Sequence, residues 1–268
     1  LFIINADAKL TLGNNVTLKG LGLETSNAFS LITMYGGSLT LQEGSKICDN
    51  WKEDSFGSAI FMTATTTAPT QIVMTGGSIT NNKVNGYGAV YLETGTFTMS
   101  GGSITNNIAT DASVVRGGGI YIAGNAVFNM SGGTITGNNN GLGGGVHNRG
   151  TFNLSGGSIT GNTSDLGVAN VYVRKDALAT NISGVPATSV ALEIDSKITQ
   201  SDGFSGNVTI DFCGDATQWT GNTVLVKGES YQGAYGDFRL GSFVNTGNGS
   251  KTALSGYQIG VDGKLTVN

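Results

Sequence analysis

Four copies of one motif restrict the fold of this chain more than any other feature. Each copy has an alternating apolar stretch, a Gly pair, a second short apolar stretch and a final Asn. The copies are TQIVMTGGSITNN (70–82), GTFTMSGGSITNN (95–107), NAVFNMSGGTITGN (125–138) and GTFNLSGGSITGN (150–162). The second Gly recurs after 25, 31 and 24 residues. Such periods indicate a solenoid, a propeller or an array of small units.

The pattern inside each repeat is that of β-strands. Phe97 and Met99 alternate with polar residues, as a strand with one buried face requires. The Gly pair interrupts this strand, because glycine adopts backbone angles that other residues avoid, and a second short strand ends at a polar Asn turn. A third strand follows as GAVYL (88–92), GGIYI (118–122), GGVHN (144–148) and ANVYV (169–173). Three short strands per repeat predict one coil of a right-handed, single-stranded parallel β-helix.

Stacked coils place like residues above one another, so we expect a core made of ladders. The four predicted ladders are Ile72, Phe97, Phe128 and Phe152; Met74, Met99, Met130 and Leu154; Ile79, Ile104, Ile135 and Ile159; and Ile60, Val90, Ile120, Val146 and Val171. The turn asparagines form a fifth set, in which each buried amide is expected to donate to the next. They are Asn82, Asn107, Asn138 and Asn162, and we interpret them as structural.

Weaker copies extend the pattern in both directions, so we predict one all-β domain over residues 1–268. Regular repeats occupy 57–173, and irregular coils with a C-terminal β-hairpin cap occupy 174–268. The cap is indicated by Asp262-Gly263 between two alternating stretches. At this repeat length the chain would form about nine to ten coils. Its first residues already have a strand pattern, so we expect it to be a fragment of a longer polypeptide.

Composition excludes several classes of partner. Charged residues make up 12% of the chain, against about 25% in ordinary domains. The net charge of −4 argues against nucleic acid and against an anionic membrane surface, and no apolar run is long enough to insert into a bilayer. Cys48 and Cys213 have no metal-ligand spacing and are expected to be buried thiols, with a disulfide between them as the alternative. No cofactor or metal is predicted.

The Gly-rich strand starts (GYGAV, GGGI, GGGV) and the strands that end in Asn (SITNN, TITGN) resemble repeats of polymorphic outer-membrane proteins. Those are β-helical surface adhesins. The same strings are similar to bacterial surface proteins of the right-handed β-helix or pectin-lyase-like fold. The resemblance covers about 57–173, and it departs from the adhesin pattern where Ile replaces the Phe expected three residues before the Asn. It implies an extracellular or cell-surface location, a host or environmental glycan or surface protein as ligand, and further domains in the parent chain.

One row of aromatic side chains is the main candidate ligand site. Its members occupy the same outward position of the third strand and are Phe61, Tyr91, Tyr121, His147 and Tyr172. Rings that face water at sheet spacing could stack on sugars or on a partner protein, and the alternative is that neighbouring loops cover them. A second outward row of Ser and Thr, from Ser78 and Thr80 to Ser158 and Thr160, leaves ice binding as a remote alternative.

An enzyme remains the alternative to a binding module, because many β-helices cleave acidic polysaccharides as lyases or glycoside hydrolases. Such sites need clustered carboxylates. Within 70–173 the only acids are Glu93, Asp111 and Asp165, and the pattern does not stack them. The densest acidic loop, Asp49, Glu53 and Asp54, is a candidate cation or sugar site, as are Asp211 and Asp215 near Trp219; solvated loops are the simpler interpretation of both groups. We therefore expect a non-catalytic adhesin-like or structural module.

Overall fold

The computed structural model describes residues 1–53, 56–63, 69–110, 117–229, 231, 233–235 and 238–268. One four-residue helix, α1 (Ala216–Trp219), occurs in this part of the chain. The strands are β1 (Phe2–Ile4), β2 (Lys9–Leu12), β3 (Thr17–Asn27), β4 (Ile32–Met34), β5 (Ser38–Leu41), β6 (Lys46–Lys52), β7 (Ile60–Met62), β8 (Gln71–Met74), β9 (Ser78–Thr80), β10 (Lys83–Val84), β11 (Val90–Met99), β12 (Ser103–Thr105), β13 (Ile108–Ala109), β14 (Ile120–Met130), β15 (Thr134–Thr136), β16 (Val146–Asn148), β17 (Thr151–Leu154), β18 (Ser158–Ile159), β19 (Val171–Val173), β20 (Ala179–Ile182), β21 (Ala187–Leu192), β22 (Ile198–Gln200), β23 (Asn207–Cys213), β24 (Leu225–Lys227), β25 (Arg239–Val244), β26 (Lys251–Ala253), β27 (Tyr257–Ile259) and β28 (Leu265–Val267).

The parallel strands form a β-helix, as the repeats predict, and it has about eight turns. Most of these strands stack in three groups, and a short fourth group is formed by the end of β6, β10 and β13. Stack A runs through β1, β4, β7, the start of β11 and of β14, β16, β19, the end of β21, β23 and β25. Stack B runs through β2, β5, β8, the end of β11 and of β14, β17, β20, β22 and β24. Stack C runs through β3, β6, β9, β12, β15, β18 and the starts of β21 and β23.

The predicted core ladders are in register. Phe128 pairs with Phe97 in the coil before and with Phe152 in the coil after, and all three side chains are buried. The Met and Ile ladders behave in the same way. Each strand turns alternate side chains inward, so a single coil buries only a few apolar residues, and the continuous core exists only because coils stack.

The Gly pair permits this stacking at the corner between stacks B and C. Gly133 has φ of 83°, a left-handed conformation that strains any other residue. A Cβ at this position would lie 2.7 Å from the Gly102 carbonyl oxygen and 2.6 Å from the Met99 Cε of the preceding coil. The second Gly is therefore required both by the backbone angle and by the close approach of the next coil.

The Asn turn holds the four predicted asparagines in a buried hydrogen-bonded row. Nδ2 of Asn82 donates to Oδ1 of Asn107 at 3.0 Å, and the same bond joins Asn107 to Asn138 and Asn138 to Asn162, each at 2.9 Å. Backbone amides of the turn also donate to this row, as from Asn107 N to Asn138 Oδ1. The row continues beyond these four asparagines through Asn170, whose Oδ1 accepts from Asn162 at 3.1 Å.

The residue before each ladder Asn has a separate role that the repeat pattern did not indicate. It adopts the left-handed conformation at φ between 55° and 67° at Asn81, Asn106, Gly137 and Gly161, and also at Asp49, which precedes Asn50, whose backbone N–H donates to Asn82 Oδ1. Asn, Asp and Gly tolerate this conformation better than other residues. In the dipeptides Asn-Asn and Gly-Asn, the first residue therefore makes the bend, and the buried side chain of the second forms hydrogen bonds with backbone groups of neighbouring turns.

The C-terminal end differs from the prediction in the number of coils. Fewer than nine to ten form, because part of the last fifty or so residues builds α1, the antiparallel strand β26 and a terminal hairpin. The predicted hairpin is present as β27 paired with β28, and residues 260–264 connect the two strands. Leu265 is buried against the last coil, and the backbone N–H groups of Val224 and Leu225 donate to Gly263 O. The hairpin thus covers the end of the solenoid.

Replacement of a ladder asparagine tests whether these amides stabilise the fold. Asn138→Ala leaves the Asn107 N–H groups and the Ile104 carbonyl without their buried partner, so we expect the free energy of unfolding to fall by about 1–3 kcal/mol. Asn153→Ala is the matched control, because Asn153 lies on the outer face where water can replace its partners, and it should cost less than about 0.5 kcal/mol. Urea denaturation measures both. Equal losses in the two variants would contradict the structural role.

Candidate functional site

The predicted aromatic row exists as a stacked ladder on the outer side of stack A. Tyr91 pairs in register with Phe61 and Tyr121, and His147 pairs with Tyr121 and Tyr172. Ring centroids of neighbouring members lie 5.0–5.6 Å apart. Tyr91 and Tyr121 are nearly parallel, with 6° between their planes. The structure therefore brings together all five residues that the sequence places in one row.

Of the two interpretations of this row, exposure to water is wrong, and cover by neighbouring loops is confirmed. Tyr121 is 1% exposed and Tyr91 is 8% exposed. His147 and Tyr172 are buried as well, and only Phe61 is partly exposed. Rings in this state cannot stack on a sugar, because their faces already contact protein atoms. The row is a second apolar layer outside the sheet.

Loop residues form the cover of this layer. The ring of Phe56 lies 4.8 Å from that of Tyr91, and the ring of Tyr87 lies 4.9 Å from that of Tyr121. At the other end, Val168 packs with Tyr172, and Leu142 O lies 3.4 Å from His147 Nδ1. The cover residues form β-bridges between successive loops, Phe56 with Tyr87 and Leu142 with Val168. Each of these four described loops therefore adds one rung to an outer row that covers the aromatic ladder.

A sequence signal for this cover exists. Phe56, Tyr87, Leu142 and Val168 each precede a ladder aromatic or His147 by four or five residues, and the first three stand directly before a Gly. Those glycines turn the loop onto the row. A Cβ on Gly143, for example, would lie 3.1 Å from the Tyr172 Cβ. The variable loop lengths hid this regularity from the alignment of repeats.

Charged residues on the turns between stacks A and B hold the polar tips of the ladder. The Arg149 guanidinium bonds to the Tyr121 hydroxyl, and its Nε lies 2.9 Å from an Asp176 oxygen. Arg174 pairs with Asp176 at 3.0 Å and with Glu193 at 3.9 Å. The Tyr172 hydroxyl bonds to Glu193, while burial raises the pKa of Tyr172. These charged side chains thus form ion pairs with one another and hydrogen bonds with the tyrosine hydroxyls of the aromatic row.

The acidic loop is not assembled into one site by the described residues. Asp49 occupies the left-handed turn position, where it accepts from Asn81, and this bond lowers its pKa. Glu53 accepts instead from the Ser26 hydroxyl at 3.1 Å. Asp54 and Asp111 lie outside the described residues. Among those residues, no three His, Cys, Asp or Glu side chains gather as a metal site would require.

The second acidic group is divided between two structural roles. Asp211 is buried on the outer side of stack A, and burial raises its pKa despite Lys251, whose Nζ lies 3.7 Å away. Asp215 caps α1, where its side chain accepts from the N–H groups of Thr217 and Gln218. Trp219 is buried, and its Nε1 donates to Cys213 O at 2.8 Å. These residues close the end of the solenoid.

Two surfaces remain after the aromatic row is covered. The first is the outer face of stacks B and C. From β8 to β22, the strands of this face carry only hydroxyl, amide and small apolar side chains on the outside. Asn153 donates to Asn129, and Asn181 donates to Asn153, each at 2.7 Å. The second lies just after the Asn turn, where one outward position repeats in five coils and borders a cavity of about 290 Å³. We name it the groove row: Trp51, Lys83, Ile108, Asn139 and Thr163.

Comparisons with protein-family models, curated proteins and solved structures found no match to this chain. The described part of the chain also lacks a helix with the length and apolar character needed to traverse a bilayer. The outer surfaces are therefore the features that indicate a function.

Truncation of a ladder ring tests the covered state. Tyr121→Ala should lower the free energy of unfolding by about 3–5 kcal/mol, because it opens a cavity in a fully packed layer. Tyr121→Phe keeps the ring and removes only the bond to Arg149, so it should cost about 0.5–1.5 kcal/mol. Chemical denaturation with an unchanged m-value measures both. A Tyr121→Ala protein as stable as the wild type would show that the ring is solvent-exposed.

The two cysteines provide a second test of burial. Both are free and buried. Burial, with a hydrogen bond to Asp49, raises the pKa of Cys48 to about 11, and burial raises the pKa of Cys213 to about 12. Both thiols are then protonated at pH 8, where thiol reagents need the thiolate. Ellman's reagent should detect neither thiol in the native protein and both in denaturant, whereas two rapidly reacting native thiols would contradict this packing.

Proposed function

We propose that this chain is a non-catalytic, adhesin-like module of a cell-surface or secreted protein, and that it binds a glycan or a surface protein through its uncharged outer faces. The resemblance of its repeats to surface adhesins supports this proposal. The observation that carries it is the chemistry of stacks B and C. Over coil after coil their outer side chains are Thr, Ser, Asn, Gln, Val and Ala in register.

These faces suit hydrogen bonding more than charge attraction. Hydroxyl and amide groups both donate and accept, so they match a hydroxyl-rich ligand in many orientations. Their spacing repeats with the coils, at about 4.8 Å. A ligand that is itself a repeating polymer can then form the same contact at successive positions, and many weak contacts add up along the rod.

Four charged residues on the turns between stacks A and B support the same function. Arg149, Arg174, Asp176 and Glu193 are paired with one another on turns. They stabilise the turns and do not face the uncharged strands. A ligand selected by charge would need unpaired residues of one sign on a continuous face, and the faces of stacks B and C offer hydroxyls and amides instead.

Binding assays with changes in salt test the proposal. Immobilised neutral glycans, acidic glycans and extracellular-matrix proteins should be probed with the wild type, and a β-sheet protein of another fold and similar net charge serves as control. We expect binding to a neutral glycan or a protein that changes less than about twofold between low and high salt, because uncharged contacts are not screened.

The alternative function, a polysaccharide lyase or glycoside hydrolase, is tested with the same ligands. Incubation with each polysaccharide should release neither new reducing ends nor unsaturated products. Product formation that is lost on replacement of Asp176 or Glu193 would contradict the non-catalytic function. Binding that falls steeply with salt would contradict the uncharged contact.

A further inference from the structure

We infer that the groove row binds a linear, uncharged polysaccharide chain that lies parallel to the solenoid axis. This inference rests on the proposed function, names the class of glycan, and adds to the outer faces of stacks B and C a contact site beside the Asn turn. Lys83 pairs in register with Trp51 and with Ile108, and bridges continue the row to Asn139 and Thr163. Four steps of about 4.8 Å give a row about 19 Å long, which suits a chain of several sugar rings.

The groove row is chemically different from the other outward rows. Ile108 is an exposed β-branched residue, 38% accessible, in a protein whose other regular rows are mainly polar. It lines the cavity of about 290 Å³ with Ala109 and Leu166. Trp51 supplies an aromatic ring two coils away, partly exposed and capped by Lys83 Nζ at 3.9 Å from its centroid. Apolar patches of this size match the C–H faces of pyranose rings.

Hydrogen-bond acceptors line the same cavity. Asn139 donates through Nδ2 to the Thr163 hydroxyl at 2.7 Å, which orients its Oδ1 as an acceptor. Asp165 also lines the cavity, is exposed and forms no ion pair with the described residues. Acceptors beside an apolar floor fit the hydroxyl donors and C–H faces of a sugar. Lys83 in the groove row and Asp165 at its cavity give the site no net charge, so the ligand is expected to be uncharged.

A larger cavity of about 560 Å³ near α1 lacks this combination. Among its lining residues, the Asp215 carboxylate is engaged by the helix N–H groups, and Phe243 is buried beneath. Its remaining lining is mainly polar. The groove row is therefore the better match for a chain that presents both apolar and hydroxyl surfaces.

A matched pair of variants tests the site. Asn139→Lys places a long cationic side chain in the groove row, and Asn125→Lys makes the same change at an exposed position between the stack A and stack B parts of β14. The probes are soluble xyloglucan, galactomannan and mixed-linkage β-glucan, with polygalacturonate as the acidic comparison. Asn139→Lys, and Ile108→Ser beside it, should weaken binding of the neutral probe about tenfold or more, while Asn125→Lys changes it less than about twofold. Circular dichroism and thermal unfolding verify that all variants are folded.

Intrinsic fluorescence gives an independent measurement. The chain has two tryptophans, of which Trp51 belongs to the groove row and Trp219 is buried at the far end. The neutral probe should change the emission of the wild type and not that of Trp51→Phe.

The possible results separate this site from the broader function. Loss of binding in Asn125→Lys but not in Asn139→Lys, or in neither variant, would overturn the groove site and leave the adhesin-like function intact. The same conclusion follows if the wild type binds a protein but none of the neutral polysaccharides, or prefers polygalacturonate. A wild type that binds no ligand of any class would overturn both.

Discussion

Parallel hydrogen bonding between coils is the constraint on which the rest of this structure depends. It fixes each residue directly above its counterpart in the preceding coil, so a choice made once in the sequence must be compatible with its own copies on both sides. Apolar residues satisfy this condition by packing on like residues. Amides satisfy it by bonding to like amides, and paired glycines satisfy it by having no side chain where two corners nearly touch. The sequence repeats because like residues meet this requirement in successive coils.

The same constraint explains why polar and aromatic side chains can be buried so close to the surface. An isolated buried amide would leave donors and acceptors without partners, which costs free energy. In a ladder, each amide is the partner of the next, and the cost arises only at the two ends. The outer aromatic layer follows the same rule, because its rings pack on one another while the loops supply the cover and the turn charges bond to the hydroxyls.

The sequence predicts the position of a side chain correctly where its contacts come from residues of the repeat. It does not predict the burial of a side chain whose contacts come from the loops. The Phe, Met and Ile ladders and the row of buried asparagines follow from spacing alone, because one repeat contains every residue that they need. The exposure of Tyr121 could not be derived in this way, since Phe56, Tyr87, Leu142 and Val168 belong to loops of unequal length. The groove row was missed for a related reason, as Ile108 is unremarkable in the sequence and becomes informative only when its exposure is known.

The repeat geometry also determines how such a molecule can change its length. Each regular coil offers the same donors, acceptors and packing surfaces to the coil before it and to the coil after it. A duplicated repeat inserted between two regular coils would therefore join both neighbours without a new type of contact, and the loops already accept periods from 24 to 31 residues. The terminal hairpin would move outward by about 4.8 Å and still cover the last coil. The length of the solenoid can thus be adjusted one coil at a time.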